Sequence, residues 1–406
     1  MAERENLLDT EQIRRPGKVE TRILKSINNL EKEFIELSDK ILEKPELGNE
    51  EFYACKLHTD LLKKHGFEVE ESFMEQETGF KATYDSKKKG PAVAFLSEYD
   101  ALPGIGHGCG HNMLGTVSTG SGIVLKQIID DIGGKVVVFG TPAEETSGAK
   151  VIYADKGAFD DIDIALVAHP NSEYNESGTS LAMEAIQFEF IGKTSHAASA
   201  PEKGINALDA TINTFNNINA LRQQTKSDAR IHGIIKEGGK AANVIPDKCI
   251  AQFYVRAASK LYLEELVEKV KNCARGASAA AGTKLEISNF EFSYDNLVTN
   301  RTLSDLFTEN LRKAGVDKIS KARKAYGSLD AGNVSHKCPT IHPYFDITNN
   351  REIAAHTVEF RDSTKTDYAY DNMKKTINAL VSTAVDVIND EELQHRIREE
   401  FERTEK

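Results

Sequence analysis

Residues 106–112 combine two histidines and a cysteine with three glycines, in the order Gly-His-Gly-Cys-Gly-His-Asn. Cysteine thiolate and histidine imidazole are donors that zinc prefers in proteins. Glycine has no side chain, so the backbone can approach a bound ion closely. His107, Cys109 and His111 are therefore candidate metal ligands, with His107 equally suited to a position behind the ligands. A structural zinc site and a catalytic site both fit this segment alone.

Further candidate donors follow apolar runs that predict strands buried on both faces. In open α/β sheets, ligands bind beyond the carboxyl ends of the strands, so side chains that follow such runs are expected at one rim. The candidates are Glu98 and Asp100 after residues 92–96, Glu144 and Glu145 after residues 135–139, and His169 after residues 164–168.

The adjacent glutamates offer two functions. In an extended segment successive side chains point in opposite directions, so Glu145 could bind a metal while Glu144 faces a substrate. A carboxylate that is free of the metal can take a proton from the attacking water. The alternative is a helix N-terminus, where acidic side chains are favourable. The Cys-x-His cluster after the preceding strand favours the metal site.

The elements that must position these residues show two patterns. Residues 17–66 are mostly helical in pattern, and apolar runs then alternate with helical segments, which predicts an α/β fold with a mostly parallel sheet flanked by helices. Residues 184–292 follow the order βαββαβ, which forms a compact four-stranded domain by itself. We predict a catalytic domain from residues 1–180 and 295–406, with residues 181–294 inserted as a smaller domain.

Composition narrows the class of protein. A net charge of −12 over 406 residues argues against nucleic acid as a partner. No apolar run approaches the roughly 20 residues that span a membrane, and the first residues lack the pattern of a secretory signal. Five scattered cysteines do not indicate a disulfide framework, which predicts a reducing, cytoplasmic location. His58 and His395 lie in charged helical stretches and are expected to be solvated.

The order of motifs resembles peptidase family M20, the aminoacylase-type metallopeptidases. The similarity is to the amidohydrolase branch, which contains N-acyl amino-acid hydrolases, aminobenzoyl-glutamate hydrolase-like proteins and related dipeptidases. It covers nearly the whole chain. The motifs that carry it are Asp-Ala-Leu-Pro at 100–103, Gly-Cys-Gly-His-Asn at 108–112, Pro-Ala-Glu-Glu at 142–145, Gly-Lys-Thr-Ser-His-Ala at 192–197 and Ala-Asn-Val-Ile-Pro-Asp at 242–247.

The resemblance implies a site for two divalent metal ions. A thiolate ligand favours zinc, with manganese or another divalent ion as an alternative at the harder position. The implied ligands are Cys109, His111, Glu145, His169 and His356. The other implied roles are Glu144 as general base, Asp100 as the group that orients a ligand, His196 as a contact to the oxyanion or substrate in a partner subunit, and Asn243 and Arg256 as contacts to a substrate carboxylate.

Departures from the family pattern bear on the substrate. Glu98-Tyr99-Asp100 stands where most members have His-x-Asp, and we interpret Cys109 and His111 as replacing the missing histidine. Asn112 stands where N-acyl amino-acid hydrolases of the branch usually have aspartate, which tilts the prediction toward dipeptides.

The predicted function is hydrolysis of an amide bond in a dipeptide or small N-acyl amino acid. The alternatives are a peptidase for longer peptides and a catalytically silent binding protein on the same fold. The inserted domain is expected to act as a lid and to form a homodimer or a higher oligomer.

Overall fold

The computed structural model describes residues 17–322 and 327–404. The N-terminal residues on which the absence of a secretory signal is predicted lie outside this range. The strands are β1 (Glu68–Glu71), β2 (Phe80–Asp85), β3 (Ala92–Ser97), β4 (Lys135–Gly140), β5 (Ile164–Leu166), β6 (His169–Asn171), β7 (Ala182–Ile191), β8 (Arg230–Glu237), β9 (Lys248–Ala257), β10 (Lys284–Asn289), β11 (Thr340–Ile341) and β12 (Tyr344–Asp346). The helices are α1 (Lys18–Glu43), α2 (Phe52–Lys64), α3 (His111–Ile132), α4 (Ala149–Asp155), α5 (Ala207–Leu221), α6 (Lys260–Ala281), α7 (Arg301–Lys313), α8 (Ala331–Ser335), α9 (Val358–Ser363), α10 (Asp367–Asn389) and α11 (Glu391–Arg403).

A six-stranded sheet, in the order β1-β2-β4-β3-β5-β11, forms the centre of the larger part of the molecule. The strands β4, β3, β5 and β11 run parallel, whereas β2 and β1 are antiparallel additions at one edge. The mostly parallel α/β sheet predicted from the sequence is therefore confirmed.

The central strands are apolar throughout because helices cover both faces of the sheet. Val93 and Phe95 of β3 face the core shared with α1, α3 and α10. The alternate residues, Ala94 and Leu96, face a second core with α4 and α8. Side chains of successive strand residues point to opposite faces, so an uninterrupted apolar run is needed for this three-layer arrangement.

The inserted segment forms a separate antiparallel sheet in the order β10-β7-β9-β8. Its β7-α5-β8-β9-α6-β10 sequence is the predicted βαββαβ order. Burial alternates along β9, and α5 and α6 pack on its apolar side. We call this unit the lid. None of the helices in the described ranges combines the length and the apolar composition that a membrane span requires.

Candidate metal centre

The first three candidate donors meet where α3 begins. Gly110 precedes this helix with φ +79°, and a Cβ there would lie 2.9 Å from Pro170, so glycine is needed for the close approach of the two segments. The turn places Cys109 Sγ 3.5 Å from His169 Nε2. Donor atoms of Cys109, His111 and His169 all lie within 4.8 Å of one another, as a shared ion requires.

Hydrogen bonds behind the imidazoles fix which nitrogen faces the site. Asp100 Oδ1 lies 2.8 Å from His111 Nδ1, and the carbonyl of Pro170 accepts a hydrogen bond from His169 Nδ1 at 2.7 Å. Both Nε2 atoms are left to face the cluster. This second-layer arrangement is typical of histidines that bind metals.

Asp100 also positions the next carboxylate. Its Oδ2 accepts a hydrogen bond of 2.9 Å from the backbone N–H of Glu145. Glu145 Oε1 then lies 3.4 Å from His356 Nε2 and 4.0 Å from His111 Nε2. Donor atoms of Cys109, Glu145 and His356 form a second group within 4.8 Å. Cys109 belongs to both groups, so its thiolate lies where it can be shared.

Glu144 and Glu145 lie in a turn, so the prediction of an extended segment is wrong. Ala143 has φ +60°, and the N–H groups of Thr146 and Gly148 both donate to its carbonyl. The carboxylate of Glu51 accepts the Ala143 N–H at 2.7 Å and holds this left-handed residue in place. The two glutamates still belong to different groups, because Glu144 lies with Glu98 and His111, whereas Glu145 lies with Cys109 and His356.

A buried ion-pair cluster, which the sequence does not predict, adjoins the donors. Lys150 Nζ lies 2.8 Å from Glu98 Oε1 and 2.6 Å from Asp330 Oδ1, and all three side chains are buried. The sequence does place a lysine in the first turn of the apolar helix α4, but its acidic partners are distant in sequence. We call Glu98, Lys150 and Asp330 the charged triad.

The protonation states of the metal-free chain follow from burial and charge. Burial raises the pKa of the Cys109 thiol. Burial opposes protonation of His111, but Asp100 and Cys109 outweigh it and hold the pKa of His111 well above its usual range. Burial, with a contribution from His111, lowers the pKa of His169 to about 3. Burial, followed by the charges of Glu98 and Asp330, raises the pKa of Glu144.

The predicted residues of the lid do not join these donors within one chain. His196 is exposed, and its Nδ1 accepts hydrogen bonds from Ala198 and Ser199 of its own loop. The carbonyl of Asn243 accepts the N–H of Ala197 in the neighbouring segment. Both residues are therefore held together within the lid.

Arg256 lies between the lid and the larger part of the chain. Its Nη1 donates a 2.8 Å hydrogen bond to Ser328 Oγ, and its guanidinium lies 5.5 Å from the centre of the Tyr254 ring. A cavity of about 630 Å³ lies between the metal-site turn and the lid. Its lining comprises Glu145, Thr146, Ser147, Tyr254, Asn289, Phe290, Glu291 and Phe292.

Comparison with known proteins places this site in a family. The chain is 36% identical over 385 residues to a human Xaa-Arg dipeptidase, covering 90% of this chain and 88% of the relative. It is 29% identical to one of the subunits of p-aminobenzoyl-glutamate hydrolase from Escherichia coli K12, covering 72% of this chain and 65% of that protein. A family model described as a peptidase dimerisation domain matches residues 183–280, within the lid.

A solved structure from Bacillus subtilis, described as a dinuclear metal-binding peptidase of family M20, shares the fold. It aligns with a TM-score of 0.67 and 19% identity over 88% of this chain and 99% of that one. The chain belongs to peptidase family M20. It is accordingly a hydrolase of amide bonds, and the resemblance inferred from its motifs is confirmed.

The M20 chain carries donors that fit divalent metal ions. Glu98 Oε2, His111 Nε2 and Glu145 Oε1 are buried and have no hydrogen-bond partner among the described residues. Buried polar atoms without partners are rare, and here all three face the same groups of donors. Thiolate, imidazole and carboxylate together suit zinc, and the carboxylates also suit harder ions.

Proposed function

We propose that the chain is a binuclear metal-dependent hydrolase that cleaves the amide bond of a dipeptide or a small N-acyl amino acid. The convergence of Cys109, His111, Glu145, His169 and His356 in two groups that share Cys109 carries this proposal. The donors come from distant segments and include a carboxylate. Closed structural zinc sites instead use four donors, typically cysteine and histidine at short spacings.

The two groups of residues would hold one ion each, with Cys109 shared between them. When bound, divalent ions lower the pKa of water and polarise a substrate carbonyl. Asp100 supports both groups, since it orients His111 and fixes the backbone of Glu145.

Glu144 is the proposed general base. It lies beside the donors, is half-buried, and is not needed to complete either of the two groups that contain Cys109. Its carboxylate takes a proton from the attacking water and passes it to the leaving amine. A general base of this kind typically contributes about 10²–10⁴-fold to the rate.

The test of this role is Glu144→Gln, which keeps the shape of the side chain and removes the base. We expect turnover to fall at least about a hundredfold while metal content per chain stays unchanged. Glu264→Gln, the same substitution at an exposed carboxylate of α6, is the control and should leave turnover unchanged. Full activity of Glu144→Gln would contradict the assigned role, and fewer than two ions per active wild-type chain would contradict the binuclear centre.

The cavity between the metal-site turn and the lid is the proposed substrate site. Its volume of about 630 Å³ is in the range of small-ligand pockets, about 300–1,000 Å³. Arg256 and Asn243 are proposed to bind the carboxylate of the substrate. Arg256 lies against Tyr254 of the cavity lining, whereas Asn243, held next to the His196 loop, would act with His196 at the site of the partner subunit. Glu291 at the cavity is exposed and accepts a hydrogen bond from Tyr254 at 2.7 Å, so its negative charge favours a cationic substrate side chain. Dipeptides ending in arginine, for which the human relative is named, have this chemistry.

A substrate panel tests this proposal. Dipeptides that end in arginine, lysine or leucine, N-acetyl amino acids and longer peptides would be compared in the wild type and in Glu291→Gln. We expect the variant to lose its preference for basic over neutral dipeptides through a higher KM. Faster cleavage of longer peptides than of dipeptides would favour the alternative peptidase function.

The lid is the proposed dimerisation domain, with residues 181–294 inserted between residues 1–180 and 295–406. The family match lies within it, and β8 is an edge strand of its sheet with Ile234 61% and Ile235 42% exposed. Pairing of two lids would cover these side chains. His196 would then serve the site of the partner subunit, since its contacts lie within its own loop.

Mixing two inactive variants tests whether His196 acts across the dimer. Glu144→Gln and His196→Ala should each be inactive alone, but a mixed dimer contains one complete site. Random exchange should restore about a quarter of wild-type activity. No recovery in demonstrably mixed dimers would contradict the role in the partner subunit. We also propose a cytoplasmic location, because none of the five cysteines, all in the described ranges, forms a disulfide.

A further inference from the structure

Glu98 occupies an unusual position at the metal centre. It directly follows β3 and is 1% exposed. Its Oε1 is bound by Lys150 at 2.8 Å, but its Oε2 has no hydrogen-bond partner among the described residues and lies 3.4 Å from His111 Nε2. We infer that Glu98 Oε2 is a further metal donor, in addition to the five ligands above, and that the charged triad holds it in place. This inference rests on the proposed binuclear centre.

The hydrogen bonds around His111 determine which of its nitrogens faces Glu98. Asp100 occupies Nδ1, so a neutral ring carries its proton there and presents a lone pair at Nε2. Glu98 Oε2 presents a second lone pair to the same space. Two buried acceptors 3.4 Å apart need a cation between or beside them. In the metal-free chain a proton on His111 Nε2 can fill this place, and a bound metal ion would replace that proton.

The charged triad has one more carboxylate than it has ammonium groups. One ammonium, that of Lys150, faces two carboxylates, so the triad keeps one net negative charge in a buried place. A buried charge needs a positive partner close by. Asp330 is satisfied by Lys150 alone, at 2.6 Å for Oδ1 and through the Lys150 N–H at 3.3 Å for Oδ2. The remaining negative charge is therefore placed on the Glu98 oxygen that faces His111.

Glu98 also lies close enough to two other donors to share an ion with them. Donor atoms of Glu98, His111 and Glu144 lie within 4.8 Å of one another, which makes a third group that contains His111 but not Cys109. Carboxylate oxygen is a harder donor than thiolate. Glu98 would thus add a hard oxygen donor to the ion that His111 holds.

The experiment compares Glu98→Gln with Asp330→Asn, measuring Mn²⁺ and Zn²⁺ stoichiometry and affinity by equilibrium dialysis and chelator competition. Both variants remove one negative charge from the same triad, but only Glu98→Gln removes a charged oxygen that faces His111. We expect Glu98→Gln to lower the affinity for the more weakly bound ion by about tenfold to a hundredfold. We expect Asp330→Asn to lower that affinity by a smaller factor, because it removes a charge that acts through space but no donor atom.

Retention of the tighter ion and an unchanged circular dichroism spectrum would show that the Glu98→Gln chain is folded. Equal effects of the two variants, or unchanged affinity in Glu98→Gln, would overturn the inference and leave the binuclear centre intact. A wild-type chain that binds only one ion would instead contradict the binuclear centre itself. Should Glu98→Gln fail to fold, Glu98→Asp, which keeps the charge but withdraws the oxygen, should show the same weakening of the weaker-bound ion, and unchanged affinity there would overturn the inference.

Discussion

Glu51 gives the sharpest prediction for stability. Its carboxylate is fully buried and accepts hydrogen bonds from Ala143 N at 2.7 Å and from Thr78 Oγ1 at 2.8 Å. Burial, with a contribution from the charge of Asp100, raises the pKa of Glu51 from 4.5 to about 7. The residue anchors the turn that carries Glu144, so the perturbation chosen is Glu51→Gln, which keeps an acceptor for Ala143 but cannot ionise.

The direction in which stability changes with pH follows from the raised pKa of Glu51. The folded chain binds this proton more tightly than the unfolded chain, so the contribution to stability is fully present below about pH 4.5 and is lost as pH rises through about 7. The rise in pKa corresponds to about 3 kcal/mol, at about 1.4 kcal/mol per pKa unit. The free energy of unfolding of Glu51→Gln, relative to the wild type, should therefore increase by about 2–3 kcal/mol between about pH 5 and about pH 8.5.

The assay is urea unfolding of chelator-treated protein at both pH values, followed by circular dichroism. Thr78→Val is the matched control, because it removes the other hydrogen bond but leaves the ionisable group. The Thr78 hydrogen bond lowers the pKa of Glu51, so this variant should keep a pH dependence at least as large as that of the wild type. A difference between wild type and Glu51→Gln that stays constant across this pH range would refute the reasoning.

Three further predictions concern other buried ionisable groups. Burial lowers the pKa of His58 to about 3. The neutral form of His58 therefore contributes to stability above about pH 6.5, and this contribution is lost as pH falls toward 3. His58→Gln should shift the acid-unfolding midpoint to lower pH in a circular dichroism titration. Lys150→Met leaves two carboxylates of the triad without their cation and should lower the free energy of unfolding by about 3–5 kcal/mol in urea, whereas a loss below about 1 kcal/mol would contradict an essential ion pair. Metal binding must displace protons from Cys109 and His111, so zinc affinity measured by chelator competition should rise with pH between about 6 and 8, and a flat profile would contradict these ligands.

The sequence predicts the supporting elements well because their pattern is local. The apolar runs at 92–96 and 135–139 become β3 and β4, and the order βαββαβ is recovered in full. Local spacing also places Cys109 and His111 at the start of α3. These elements determine the rim of the sheet at which the donors meet, which is why family membership could be inferred from motifs alone.

The residues whose surroundings the sequence does not predict depend on contacts between distant segments. Charged neighbours in sequence predict a solvated His58, but this residue is fully buried and its Nδ1 lies 2.9 Å from Thr119 Oγ1. The turn at Glu144 depends on Glu51, 92 residues before Ala143. Lys150 and Asp330 are separated by 180 residues. Periodicity within a short window carries no information about such pairs.

The hardness of Glu98 as a donor links its departure from the family pattern to the choice of metal. A histidine at that position would supply a neutral nitrogen, whereas Glu98 supplies a charged oxygen next to His111. The other group of donors, Cys109, Glu145 and His356, does not contain Glu98. Loss of the Glu98 carboxylate should therefore shift the preference of the ion at His111 from manganese toward zinc, because a carboxylate oxygen is a hard donor. Wild-type and Glu98→Gln chains loaded from an equal mixture of the two metals should then differ, with less manganese per chain in the variant. An unchanged ratio of the two metals would show that Glu98 does not influence the choice.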